Sequence, residues 1–332
     1  MGLIMQIRKA ERKKAKLRLG LAGASDSGKT WSALEIAHGI GGKIAMIDTE
    51  AGRGELYAGS HSAHEPEISF QYDVIRLDAP FSPERYIEAM RAFEKAGYDI
   101  LIIDSLSHAW EGPGGVLTIV GSDGWFSRSG QKGSSEQNAL THAIITSKMH
   151  IIANMRAKTE WAMEKDSRGK NCPIKVGLAP VQRGGIEYEF TAFMNMSHDR
   201  QAFVSKDTSK IYSQKTVQPS PDMGRRLMEW LNTGIDEKEI FSKETIPVIL
   251  NEINSIKSTK ELSGFREKYI HYQKLYGDTF PEEFKAVVEA KDAKREALML
   301  SELDTMAPPP IIVPAITNKY SPKLVQNLQG IA

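Results

Sequence analysis

One stretch, Gly23-Ala24-Ser25-Asp26-Ser27-Gly28-Lys29-Thr30, constrains this chain more than any other. It fits the phosphate-loop pattern of a glycine, four free positions, then Gly-Lys-Thr. The glycines permit turns in which successive backbone N–H groups surround a phosphate. A helix starting here adds its positive end and its free N–H donors. Lys29 is expected to reach the β- and γ-phosphates of a nucleotide, and the Thr30 hydroxyl to bind Mg²⁺. The flanks agree. The run from Leu17 to Ala22 alternates like a strand, and Trp31, Leu34, Ala37 and Ile40 recur at helical spacing.

The strand-then-helix grammar continues. Short strands are expected over 43–47, 72–77, 99–103 and 150–153. Helices are expected over 83–95, opened by Pro83 and stopped by Gly97, and over 136–147. Such alternation means a parallel sheet with crossover helices. Residues 188–204 read instead as an antiparallel hairpin turning at Ser197–Arg200.

Two carboxylates stand at strand ends. Asp99-Ile100-Leu101-Ile102-Ile103-Asp104 is a buried strand whose last residue emerges at the carboxyl edge, where open parallel sheets hold ligands. Asp104 is expected in the Mg²⁺ shell. Residue 105 is Ser, so no glutamate follows the Walker B aspartate directly. Ile47-Asp48-Thr49-Glu50 ends a neighbouring strand. From there Glu50 can orient or deprotonate an attacking water; an ordinary surface glutamate is the plainer reading.

These three parts together resemble the ATPase core of RecA-class recombinases. The overall pattern resembles the phage-encoded RecA-like ATPases, some of which anneal single strands. The resemblance spans roughly residues 16–215. It implies an α/β fold: a RecA-like P-loop NTPase core, with a mainly parallel sheet flanked by helices, plus a small helical C-terminal domain. It implies ATP and Mg²⁺ as ligands, with Glu50 and Lys29 catalytic. It places a γ-phosphate sensor at Asn154, where the class usually has Gln; a turn or cap residue is the alternative. It places lysines that reach a neighbouring subunit at Lys206 and Lys210, although position 208 is Thr rather than basic. Solvated hairpin lysines are the alternative there.

The resemblance also points to two polymer-binding loops, Trp110–Ser135 and Ala157–Gly185. The first carries Arg128 and Lys132; the second carries Lys158, Trp161, Arg168 and Lys170. Basic residues interleaved with aromatics suit single-stranded DNA. A lid over a small-molecule or protein site is the competing reading. The implied assembly is a homo-oligomer, ring or filament, with a single-strand-binding or replication protein as a further partner.

Composition fills in the rest. The 332 residues hold 43 Lys+Arg and 42 Asp+Glu, a net of +1. That argues against a wholly basic coat but hides local excess. Arg8 to Arg18 has seven basic residues and one acidic, a net of +6; a solvated lead-in or a phosphate contact both fit. Arg156 to Gly185 has seven basic and three acidic, a net of +4. The lone Cys172 excludes an intramolecular disulfide and an all-cysteine zinc site. No apolar run approaches the roughly 20 residues of a membrane helix, so a cytoplasmic protein without membrane partners is expected. Expected boundaries are a basic lead-in at 1–15, the ATPase core at 16–234, a Lys- and Glu-rich helical domain at 235–305, and a Pro-rich disordered tail at 306–332. Two other functions fit the same loop: a nucleotide switch or loader that recruits a replication partner, and a small-molecule phosphotransferase.

Overall fold

Strand β1 (Arg18–Gly23) is buried along its whole length, and helix α1 (Lys29–Ile40) follows the glycine turn. Next come β2 (Ile44–Asp48), β3 (Asp73–Arg76), α2 (Pro83–Lys95) and β4 (Ile100–Asp104). Helices α3 (Ser107–Glu111), α4 (Val116–Val120) and α5 (Arg128–Thr146) lead to β5 (His150–Lys165) and β6 (Asn171–Pro180). Then β7 (Ala192–Met196), β8 (Ala202–Asp207), β9 (Thr216–Val217) and α6 (Pro221–Asn232) complete the first of two compact units, which ends at Asp236. This is a computed structural model, and it describes residues 10–165, 171–277 and 279–306.

The sheet runs β3-β2-β4-β5-β1-β7-β8-β9, with β6 paired to β5 off that path. From β3 through β7 every pairing is parallel; β7–β8 and β8–β9 are antiparallel. The expected mainly parallel sheet flanked by helices is therefore present. One sheet face (Leu19, Leu21, Met46, Ile102, Met194) packs on α1 and α6. The other (Ala45, Ile47, Leu101, Ile103, Ile151) packs on α2 and α5. Where α1 meets α6, a Cβ on Gly39 would lie 1.9 Å from the Pro221 carbonyl oxygen, and one on Gly224 would lie 2.2 Å from that of Ile36. Glycine is what allows this approach.

The second unit begins at Glu237. It contains α7 (Glu237–Ile240), α8 (Ile246–Ser255), α9 (Thr259–Tyr272) and α10 (Pro281–Met306), so the C-terminal helical region is present. Its own core joins Phe241, Ile249, Ile253, Phe265, Phe284 and Val287. The tail from 307 lies outside the described residues.

Three expectations need correction. The segment 110–135 is not an irregular loop: α3, α4 and the start of α5 occupy most of it. Ser127 caps α5, its side chain accepting from the Gly130 N–H. Gly133 serves packing, since a Cβ there would come within 2.7 Å of Val120, whereas Gly121 and Gly124 serve turns at positive φ. The segment 157–185 is mostly a β-ribbon, because β5 runs far past the sheet and pairs with β6 from Ala157↔Pro180 to Lys165↔Asn171. The strand expected from residue 188 starts at Ala192, after a tight turn over Ile186–Glu189.

In the described part of the basic lead-in, Arg12, Lys14 and Arg18 are held in place. Arg12 lies 4.5 Å over the Trp230 ring and donates to the Trp230 carbonyl at 2.6 Å. Lys14 pairs with Asp236 at 3.2 Å. Arg18 is buried and donates to the carbonyls of Leu17, Ile145, Ser147 and Met149. Burial pulls its guanidinium down to about 10. Arg18 is thus a structural group that closes the C-terminal end of α5. Arg8 and Lys9 lie outside the described residues.

Candidate active site

The parallel register sets the site. Asp48 pairs with Asp104 across β2–β4, and Asp104 with Asn154 across β4–β5. In-register residues of parallel strands share a face, so these three polar side chains end up in one row at the carboxyl edge, on the α1 side. All three are buried. The apolar residues before each of them bury the strands, and the polar one is carried to the rim.

The phosphate loop closes over this row. Gly28 has φ 81°, a left-handed conformation that suits glycine. Lys29 Nζ donates to the carbonyls of Gly23 at 3.1 Å and Ala24 at 2.7 Å, so it folds back along the loop. Ser27 Oγ donates to the Ala24 carbonyl at 2.9 Å. Thr30 Oγ1 hydrogen-bonds Asp104 Oδ2. Burial pushes the Asp104 carboxyl above its ordinary range, and the Thr30 hydroxyl opposes this. Burial also pulls the Lys29 ammonium below its ordinary value, with Asp104 and Glu50 acting against it.

Glu50 stands just past β2, its backbone N–H donating to Asp48 Oδ1 at 2.6 Å. Its Oε1 accepts from two nitrogens of Arg156, at 2.8 and 3.2 Å. Its Oε2 lies 3.8 Å from Arg53. Arg156 follows Asn154 by two positions, so both point to the same face of β5. That period-two relation is present in the sequence, where Arg156 counts only as the start of a basic segment with no role at the site.

A cavity of about 590 Å³ opens here. Its lining includes Ser25, Asp26, Gly28, Lys29, Thr30, Glu50 and Asp104, all expected, and Trp31, Arg53, Tyr57, Arg156 and Arg200, which the sequence reading did not single out. Asn154 lies beneath, close enough to Asp104 to favour its charged form, yet neither of its side-chain polar atoms meets hydrogen-bond geometry. The Asp48 Oδ2 atom is likewise buried and unpaired.

The donor set fits a nucleotide with its magnesium ion. A hydroxyl and a carboxylate oxygen are hard ligands of the kind Mg²⁺ takes. A lysine and a glycine-cradled helix start suit the phosphates. Unpaired buried polar atoms beside them mark where further partners are needed. Among the described residues no group of three or more His, Cys, Asp or Glu could hold a metal ion.

Under the site, on the other face, Thr49 Oγ1 accepts from the Ser105 N–H at 2.8 Å and lies 2.7 Å from His108 Nδ1. Tyr86 donates to the Ser105 carbonyl at 3.0 Å. These contacts brace the turn after β4, whose Asp104–Ser105 peptide is cis.

Other expected residues stand elsewhere. Lys206 donates to the carbonyls of Tyr188 at 2.6 Å and Glu187 at 3.3 Å, and Lys210 is exposed in the turn after β8. Neither lines the cavity. Arg128 begins α5 and is exposed; Lys132 pairs with Glu136 at 3.7 Å. Lys158 is exposed at the ribbon root. Trp161 is described by its backbone alone, and Arg168 and Lys170 lie outside the described residues. Near Arg128, Trp110 and Trp125 stack with centroids 5.7 Å apart, and Phe126 is fully exposed.

A family described as an AAA domain matches residues 15–227. Among solved structures, the chain is similar to a KaiC-like protein from the hyperthermophilic archaeon Pyrococcus horikoshii OT3, at 15% identity and a TM-score of 0.34, over 60% of this chain and 82% of that one. No curated protein matches. Among the described residues no helix is long and apolar enough to cross a membrane.

Proposed function

The chain belongs to the AAA domain family, and from that premise we propose that it hydrolyses ATP with Mg²⁺ and couples turnover to single-stranded DNA. What supports the reading most is one juxtaposition: Lys29, Thr30, Asp104 and Glu50 line a single cavity although they come from three strand ends. Lys29 and the amides of 23–30 hold the phosphates. Thr30 and Asp104 are the residues that would hold Mg²⁺, which when bound neutralises phosphate charge. Glu50 Oε2, the oxygen not taken by Arg156, accepts a proton from water. The water oxygen attacks the γ-phosphorus, the bond to the bridging oxygen breaks, and ADP leaves with that oxygen's charge.

The DNA part rests on the ribbon and its roots. Arg156, which holds Glu50, sits where β5 leaves the sheet. At the other root, Gln182 donates to the Leu106 carbonyl at 3.2 Å, just past Asp104. A strand bound along the basic ribbon and the exposed Trp125 and Phe126 therefore has a short mechanical route to the water-activating carboxylate. In this reading the setting is phage recombination or replication, single-strand annealing included. The working form is a ring or filament in which Lys206 or Lys210 reaches a neighbour's nucleotide, Asn154 senses the γ-phosphate, and a replication protein is a partner.

Glu50→Gln should keep ATP binding and lose turnover by about 10²-fold or more, whereas Lys29→Ala should lose binding. A switch that does not need hydrolysis would work normally as Glu50→Gln. A phosphotransferase would pass phosphate to an acceptor faster than to water. Either result in a turnover assay rejects the hydrolase reading.

A further inference from the structure

The turn between β7 and β8 carries an arginine in an unusual place. Arg200 has φ 61°, the left-handed region that glycine and asparagine enter at least cost. Its backbone N–H donates to the Ser197 carbonyl at 3.1 Å, and Ser197 N–H donates to the Gln201 carbonyl at 2.9 Å. The turn geometry is thus complete without the Arg200 side chain. The side chain lies instead on the phosphate loop: a Cβ built on Gly28 would meet Arg200 Cγ at 3.2 Å and Cδ at 3.5 Å. Gly28 leaves the room that the arginine stem fills.

Arg200 lines the same cavity as Lys29 and Glu50. Arg156 and Arg53 there already face Glu50. The Arg200 guanidinium makes no ion pair or hydrogen bond among the described residues. Five forked N–H donors at the mouth of a phosphate loop, with no carboxylate to satisfy them, match an oxyanion chain. Uncommon backbone conformations of non-glycine residues collect at ligand clamps, and here a costly residue choice has no structural return in its own turn.

We propose that Arg200 is a phosphate ligand supplied within the same chain, clamping the polyphosphate of a nucleotide from its seat against Gly28. The inference rests on the nucleotide-site reading above and deepens it. It differs from the roles of Lys206 and Lys210, which require a neighbouring subunit.

The test compares wild type, Arg200→Asn, Arg200→Lys and Lys29→Ala in the full-length protein, by equilibrium binding of ATP and GTP and by thermal unfolding without nucleotide. Arg200→Asn should weaken both nucleotides equally, roughly ten- to a hundredfold, the scale of a lost charge-assisted contact. Its nucleotide-free midpoint should match or exceed wild type, since asparagine enters the left-handed region more readily. Arg200→Lys should recover part of the affinity. Wild-type affinity in Arg200→Asn, while Lys29→Ala has lost binding, overturns the inference and leaves the site reading intact. A lowered midpoint in Arg200→Asn, or a loss confined to one base, also overturns it. Retained binding in Lys29→Ala overturns the site reading and this inference with it.

Discussion

His150 opens β5 with a buried imidazole whose Nδ1 accepts the Leu17 N–H at 3.1 Å. That bond requires the neutral ring. Burial, with Lys16 and Arg18 nearby, pulls its pKa down to about 4, against about 6.5 in the unfolded chain. Between those values the unfolded state binds the extra proton, so stability is full above pH 6.5 and falls as pH drops towards 4. The loss from this one residue approaches about 3 kcal/mol. Urea midpoints measured from pH 7 to pH 4 should show it, and His150→Asn, which keeps an acceptor that does not titrate, should flatten the curve; an unchanged slope rejects the assignment. Asp104 was legible in the sequence because it ends an apolar run, and Glu50 because it stands just past another; both positions fall at the carboxyl edge of a parallel sheet. Arg18 was not, since a charge count treats a buried guanidinium capping four carbonyls like a solvated one. Arg200 was not legible either. Its meaning lies in contact with Gly28, far away along the chain.

Among elements, the β-ribbon departs most from expectation. Sixteen residues of β5 run from the core of the sheet into a two-stranded arm with β6. The sequence held a sign of it, since Arg156, Lys158 and Glu160 alternate with Ala157, Thr159 and Trp161, but the surplus of basic residues over 156–185 read as a loop. The glycines of 121–133 misled in the other direction. They read as loop residues, yet Gly133 lies inside α5, where a Cβ would meet Val120 of α4; Gly121 and Gly124 are turn residues at positive φ. The central strands β1, β2 and β4 were legible to within about one residue, since burial on both faces forces continuous apolar runs; α5, expected from residue 136, begins at Arg128. The ribbon is separable by design of its register: Thr159 pairs with Leu178. Replacing 160–177 with an Asn-Gly turn should leave ATP binding and the thermal midpoint near wild type, and should abolish any effect of single-stranded DNA on turnover. Persistence of that effect in the shortened protein, followed by ATPase assay, would place the DNA elsewhere.

For the whole molecule, the net charge of +1 is a sum of opposed regions. From Met46 to Asp104 there are twelve acidic and five basic residues, a net of −7. This stretch contains Glu50 and Asp104, while the ribbon segment nets +4 over Arg156 to Gly185. Part of the basic lead-in is spent on Trp230 and Asp236, inside the first compact unit, so it contributes less free charge than its composition suggests. A polymer is then expected along the ribbon and α5 start, with affinity that falls steeply as salt rises. The central claim joins ATP turnover at Glu50 to single-stranded DNA on the ribbon. Steady-state ATP hydrolysis with no polynucleotide, with single-stranded DNA and with duplex DNA tests it most directly. A Mg²⁺-dependent rate that rises several-fold with single strands and less with duplex is the expected result. A rate indifferent to both polymers, or none under any condition, would contradict it.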